Sequence, residues 1–210
     1  QYAATAACTQ LLFIVEYATL NSQTAIGRGV VDKASGTGNE SEITGATTLL
    51  GNASGMAAGT NGLTSITYRG EENFWGNIWK FTDGMNIYCD IANNVHDLYI
   101  ADNAFAESKN TDNYKDAGIT LATKEGYVSA MAYNEEYDWL FVPAETLGNS
   151  ALPVGDYLYM SASTNGYKIA RLGGTWHFAS DAGAFFWYVA NTPYTYYRNI
   201  GGRLVYVPIS

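Results

Sequence analysis

Two histidines, two cysteines and a cluster of three carboxylates are the side chains of this sequence best suited to chemistry, and their spacing argues against it. His96 and His177 are far apart, and neither sits in an HExxH or CxxC type of arrangement, so no metal centre is expected. Glu135, Glu136 and Asp138 supply the residue type for paired acid–base carboxylates, but neighbouring acids at a turn read better as a solvated surface. Gly27-Arg28-Gly29 does not follow a strand and open a helix as a phosphate-cradling loop does. No serine or cysteine occupies a nucleophile elbow. The expectation is therefore no catalytic residue, no cofactor and no metal. With only Cys8 and Cys89, the chain has no disulfide framework. A single bridge between them stays open, two buried free thiols being the simpler expectation.

What the sequence does concentrate is aromatic surface. Between Trp176 and Arg198 stand Trp176, Phe178, Phe185, Phe186, Trp187, Tyr188, Tyr194, Tyr196 and Tyr197. They are interleaved with Ser180, Asp181, Asn191, Thr192, Pro193 and Thr195, which favour turns and loops. Tyrosine offers a large amphipathic contact area with little rotamer freedom to lose, which is why binding loops favour it. Rings among turn residues thus read as a contact surface. The competing reading, that the rings form core, bears most on Phe185 and Trp187.

The elements that must position these rings are constrained by composition. A chain of 210 residues is long enough to bury well over half its unfolded surface. Charged residues make up only 15%, against about 25% in typical soluble domains, so the surface is unusually neutral. A formal charge of -9 opposes the phosphate backbone and speaks against a nucleic-acid partner. The apolar run at 11–15, interrupted by Glu16, is far shorter than the roughly 20 residues that span a bilayer, so membrane insertion is not expected. No basic segment followed by an apolar one marks a signal peptide after Gln1, and the chain reads as a fragment or processed product.

Leu11, Leu12, Val15 and Thr19 recur near helical spacing between alanine-rich flanks, predicting a helix from about Tyr2 to Leu20 with one face on a sheet. Residues 26–62, rich in Gly, Ser, Thr and Asn, read either as a lid-like insertion or as a long loop pinned by local hydrogen bonds. Alternating stretches at 65–70, 77–89 and 96–102 read as strands, with turn signals such as Asp83-Gly84 among them. Further short strands are expected at 136–143, 155–162, 169–174 and 203–209. Gly201-Gly202 suits a bulge or a close backbone approach as the last strand re-enters the sheet. With no repeat and no linker, the expected architecture is a single α+β domain, an early helix followed by many short antiparallel strands and long loops.

Four stretches carry a more specific signal: LLFIVEYATLNSQTAIGRG at 11–29, YRGEENFWGNIWKFTDGMNI at 68–87, DWLFVPAETLGNSALPVGDYLYM at 138–160, and the motifs RLGG, W, AGAF, W and RNIGGRLVYVP in order over 171–208. In this order they resemble the C-terminal region of phage structural proteins with a C-type-lectin fold. These are the variable proteins of diversity-generating retroelements, related to the formylglycine-generating-enzyme subgroup. The resemblance spans nearly the whole chain. It implies a receptor-binding module of a phage tail fibre or virion structural protein, on the extracellular face of the virion. Host bacterial surface proteins or glycans would be its ligands, and other virion proteins would attach through a region preceding Gln1. It also implies a constant framework and displayed positions between. The framework would comprise Gly173, Gly174, Trp176, Ala182, Gly183, Ala184, Phe185, Trp187, Asn199, Ile200, Gly201, Gly202, Arg203 and Leu204. The displayed ligand-binding residues would be Thr175, His177, Phe178, Asp181, Phe186, Tyr188, Ala190, Asn191, Tyr194, Tyr196 and Tyr197. These types fit the outcomes that adenine-directed mutagenesis of Asn codons, implied by the family, would reach.

Three alternatives compete. An oxidoreductase related to the formylglycine-generating enzymes would use cysteines late in the chain, whereas both cysteines here precede residue 90. A calcium-dependent sugar binder would carry the triplets EPN or QPD and WND, which are absent; WGN at 75–77 is no substitute. A purely structural virion protein would have no use for an aromatic, polar-interleaved terminus. Arg203 and the stretch 69–73 are expected to be structural, with Arg203 paired to a carboxylate.

Overall fold

The computed structural model describes residues 1–35, 40–109, 112–160 and 163–204. It is an α+β architecture of one long helix and a curled mixed sheet that forms a half-barrel. The helix α1 spans Ala3–Tyr17. Thr5 closes its start, its Oγ1 donating to the Tyr2 carbonyl at 2.8 Å. It ends where Ala18 turns left-handed at φ 52° and returns its N–H to Ile14. The buried face is Ala3, Ala6, Ala7, Gln10 and Phe13, which corrects the expected one. Leu11, Leu12 and Val15 point outward, because the small alanines let the backbone lie close to the sheet while Phe13 fills the space beneath. A single turn, α2, follows at Ser22–Ala25.

The strands are β1 (Gly55–Met56), β2 (Ile66–Tyr68), β3 (Glu71–Glu72), β4 (Trp79–Asp90), β5 (Val95–Ile100), β6 (Lys115–Thr120), β7 (Gly126–Tyr127), β8 (Ala130–Met131), β9 (Pro143–Glu145), β10 (Tyr157–Tyr159), β11 (Gly166–Leu172), β12 (Trp187–Tyr188) and β13 (Ile200–Gly201). The main sheet runs in the order β6-β5-β4-β11-β12-β10-β7, with β13 also pairing β4. The pairs β10–β12 and β4–β13 are parallel, and the others in this sheet are antiparallel. Separate small sheets join β1-β2-β3 and β8-β9. The principal core lies around Phe13, Phe74, Trp75, Ile87, Phe185 and Trp187.

Several expected elements differ. Asp83-Gly84 is not a turn between strands but lies inside β4, where pairing with β11 slips between Ile169 and Ala170. Gly84 has φ 76° and a Cβ there would meet the Ala101 carbonyl at 2.5 Å, so the glycine serves a bulge. The stretch 136–143 is largely not a strand. Its start forms a 3₁₀ turn at Glu135–Tyr137, since Asn134 accepts from the Glu136 N–H at 2.9 Å, and pairing begins only at Pro143. Of the strand expected at 203–209, residues 205–209 lie outside the described residues, as do 161–162 of the one expected at 155–162. The pairing segment near the terminus is β13 instead. Residues 26–62 are mostly irregular and tied down locally, as where Val31 and Asp32 both donate to the Gly62 carbonyl at 2.9 Å. Residues 36–39 of that stretch lie outside the described residues. Cys8 is exposed rather than buried, Cys89 is buried, and both are free.

Candidate ligand-binding site

The chain leaves β11 through Gly173 and Gly174, at φ 96° and 84°. A Cβ on Gly173 would lie 2.8 Å from the Phe74 carbonyl, and one on Gly174 2.8 Å from Ala182 Cβ. Only glycine allows so tight an exit. Thr175 and Trp176 then pass through the interior, with Trp176 donating its backbone N–H to Asn77 and accepting from Lys33 at 2.7 Å. After a 3₁₀ turn at Ala179–Asp181, residues 182–187 are threaded through the core.

Three buried polar side chains hold that passage. Gln10 Nε2 donates to the Ala184 carbonyl at 2.7 Å, the Ala184 N–H donates to Ser22 Oγ at 2.9 Å, and the Phe185 N–H donates to Asp156 Oδ2 at 2.7 Å. Gly183 makes room for the carboxyl: its Cβ would stand 2.0 Å from Asp156 Oδ1. Burial raises the Asp156 carboxyl well above the usual carboxylate range, and the Phe185 N–H only partly offsets this.

Beyond Val189 the segment emerges and is pinned at both ends. Val189 donates to the Tyr159 carbonyl at 2.9 Å and Ile169 donates to the Asn191 carbonyl at 3.2 Å; downstream, Trp79 donates to the Asn199 carbonyl at 2.8 Å. Between these anchors Tyr194, Tyr196 and Tyr197 are 74%, 89% and 65% exposed. The Glu107 carboxylate, bonded to the Tyr194 hydroxyl, raises that phenol above its ordinary value.

The eleven expected display positions divide into three groups. Thr175 and Phe186 are fully buried, which corrects their placement at the surface. Phe186 packs with Trp79, Val31 and Ala182 in a second small core, and the two-glycine turn draws Thr175 inward. Phe178, Asp181, Tyr188, Ala190 and Asn191 are half-buried. Tyr188 stacks on Tyr159 at 4.5 Å with an interplanar angle of 8°. Asn191 accepts a hydrogen bond from Arg171 Nη2 through Oδ1, so its amide is an anchor as well as a surface group. His177 and the three loop tyrosines are exposed.

Sequence reasoning missed the neighbours of this face. Tyr157 and Tyr159 lie on β10 and join the second core's aromatic cluster. Tyr127 on β7 packs edge-on to Tyr157 at 5.2 Å and donates to Asp181 Oδ1 at 2.6 Å. The guanidinium of Arg171 lies 4.0 Å over the Tyr188 ring and 5.5 Å from Trp79, and burial lowers its pKa. The alternation in DYLYM was the available signal, since residues two apart on a strand share a face.

In the framework set, Gly173, Gly174, Trp176, Ala182, Gly183, Ala184, Phe185 and Trp187 are buried, Asn199, Ile200 and Gly201 are half-buried, and Gly202 and Leu204 are exposed. Arg203 Nη1 pairs with Glu71 Oε1 at 3.2 Å, and Nη2 donates to the Glu72 carbonyl.

The residues weighed for chemistry are scattered. His96 is buried with both ring nitrogens unpartnered, Glu135, Glu136 and Asp138 are exposed, and burial pushes the Cys89 thiol up to about 11. Among the described residues no group of three His, Cys, Asp or Glu is placed to hold a metal ion, and no helix is long and apolar enough to cross a membrane. No protein-family model and no curated protein matches the chain.

Proposed function

We propose that the chain is a receptor-binding module of a phage tail fibre or related virion structure. In this reading a C-type-lectin scaffold presents side chains of the 171–203 segment to a molecule on the host bacterial surface. The observation that carries it is the pairing of opposites within one short stretch: three large rings exposed at 194, 196 and 197, on a loop hydrogen-bonded at both ends to a buried frame. Pre-anchoring a loop cuts the ordering entropy lost on binding, and exposed tyrosines supply the contact area. The early helix, the curled mixed sheet and the order of motifs support the C-type-lectin assignment. Asn191, held by Arg171, and Tyr188, held by Tyr159, would form the fixed floor below the loop.

The test is adsorption of the fluorescently labelled chain to a panel of bacterial strains. The expected outcome is saturable attachment to a subset of strains, lost when Tyr194, Tyr196 and Tyr197 are changed together to serine. Attachment unaffected by those three changes would contradict the reading.

A further inference from the structure

Beside the exposed loop lies a cavity of about 700 Å³ whose walls include Trp176, His177, Tyr196, Tyr197, Arg198 and Asn199. Its volume falls within the range of about 300–1,000 Å³ usual for small-molecule sites. Trp176 is almost wholly buried, yet its indole Nε1–H has no acceptor. The nitrogen is itself covered, so Trp176 serves as a wall of the cavity rather than as a donor to its contents. Two further rings, Tyr196 and Tyr197, stand at the rim with most of their surface in water.

The cavity's charges are balanced. Arg198 Nη2 lies 3.3 Å from Glu40 Oε1. Burial lowers the pKa of His177, outweighing the Glu40 charge that raises it, so the imidazole is neutral near pH 7. With a net charge of -9 on the chain, an anionic ligand would be repelled. The chemistry that remains is a neutral one: apolar C–H faces for the electron-rich ring faces, and hydroxyl or acetamido oxygens for the Asn199 amide. A sugar unit offers both on one small rigid body.

We infer that this cavity takes a neutral sugar unit of a bacterial surface polysaccharide, held without a metal by stacking on Tyr196 and Tyr197 and by a hydrogen bond from the Asn199 amide. The inference rests on the receptor-binding reading and names the ligand class for the same face.

The labelled chain is applied to an array carrying purified bacterial surface polysaccharides and purified bacterial envelope proteins, with a chelator present throughout. Binding to one or more polysaccharide spots is expected. Tyr196→Ala and Tyr197→Ala should each weaken it at least tenfold. Asn199→Ala deletes the amide donor and should weaken it about fivefold, the effect of one hydrogen bond. His177→Ala, on an exposed side chain of the same cavity, is a second probe and should also weaken binding. Binding to protein spots alone would overturn the sugar inference and leave the receptor-binding reading standing. Polysaccharide binding that ignores all these changes would overturn the assignment to this cavity. Absence of binding to either class, in a chain that melts cooperatively, would overturn both.

Discussion

Two neighbouring regions of the same segment follow opposite rules. Residues 182–187 run through the interior, where Gln10, Ser22 and Asp156 meet their backbone groups and Phe185 and Trp187 fill the core. Residues 192–198 expose three tyrosines and touch the body at the anchors on either side and through the side-chain contacts of Tyr194 with Glu107 and Arg198 with Glu40. Both are aromatic-rich, so ring content does not separate them. What separates them is backbone chemistry. Small residues at Ala182, Gly183 and Ala184 let the first region approach buried side chains. Thr192, Pro193 and Thr195 keep the second in a turn, with the Thr195 N–H donating to the Thr192 carbonyl at 3.1 Å.

The largest effect should come from the interior region. Trp187→Ala removes a buried ring whose Nε1 donates to the Phe141 carbonyl at 2.7 Å, and should cost about 3–5 kcal/mol in a denaturant titration. Stability within 1 kcal/mol of the parent would erase the contrast.

A smaller loss, about 2 kcal/mol, is expected for Tyr188→Ser, which gives up the stack on Tyr159 and the guanidinium contact of Arg171. Tyr188 thereby sharpens the comparison, because it lies at the boundary and belongs energetically with the interior. A denaturant midpoint equal to the parent's would move it to the exposed side.

Arg203→Ala should cost about 1–2 kcal/mol through loss of the Glu71 and Glu72 contacts. Ligand binding by the folded fraction should be unchanged. Unaltered melting together with lost binding would reassign Arg203 to the ligand.

How far the sequence could be read follows the same divide. The helix was legible within a few residues because alanines and spacing agree, but its buried face was not. Leucines suggest burial by hydrophobicity, whereas close approach to the sheet selected Ala3, Ala6 and Ala7. Asp83-Gly84 carried a turn signal that tertiary pairing overrode, since β4 and β11 continue past it. At the site, the exposure of Tyr194, Tyr196 and Tyr197 was readable from their turn-forming neighbours. The burial of Phe186 was not, because it depends on Trp79 from a strand far away in sequence. The alternation in DYLYM puts Tyr157 and Tyr159 on one face, but their meeting Tyr127 and Tyr188 follows from sheet order, which no local pattern contains.

The central claim is that the exposed loop and the buried frame are energetically separable. The most direct measurement pairs a melting curve with a cell-adsorption assay on the variant Tyr194→Ser, Tyr196→Ser, Tyr197→Ser. Each change should stay within about 0.5 kcal/mol, as surface substitutions do, so the variant should melt within a few degrees of the parent and fail to adsorb. A variant that unfolds, or one that folds and still adsorbs like the parent, would contradict the account.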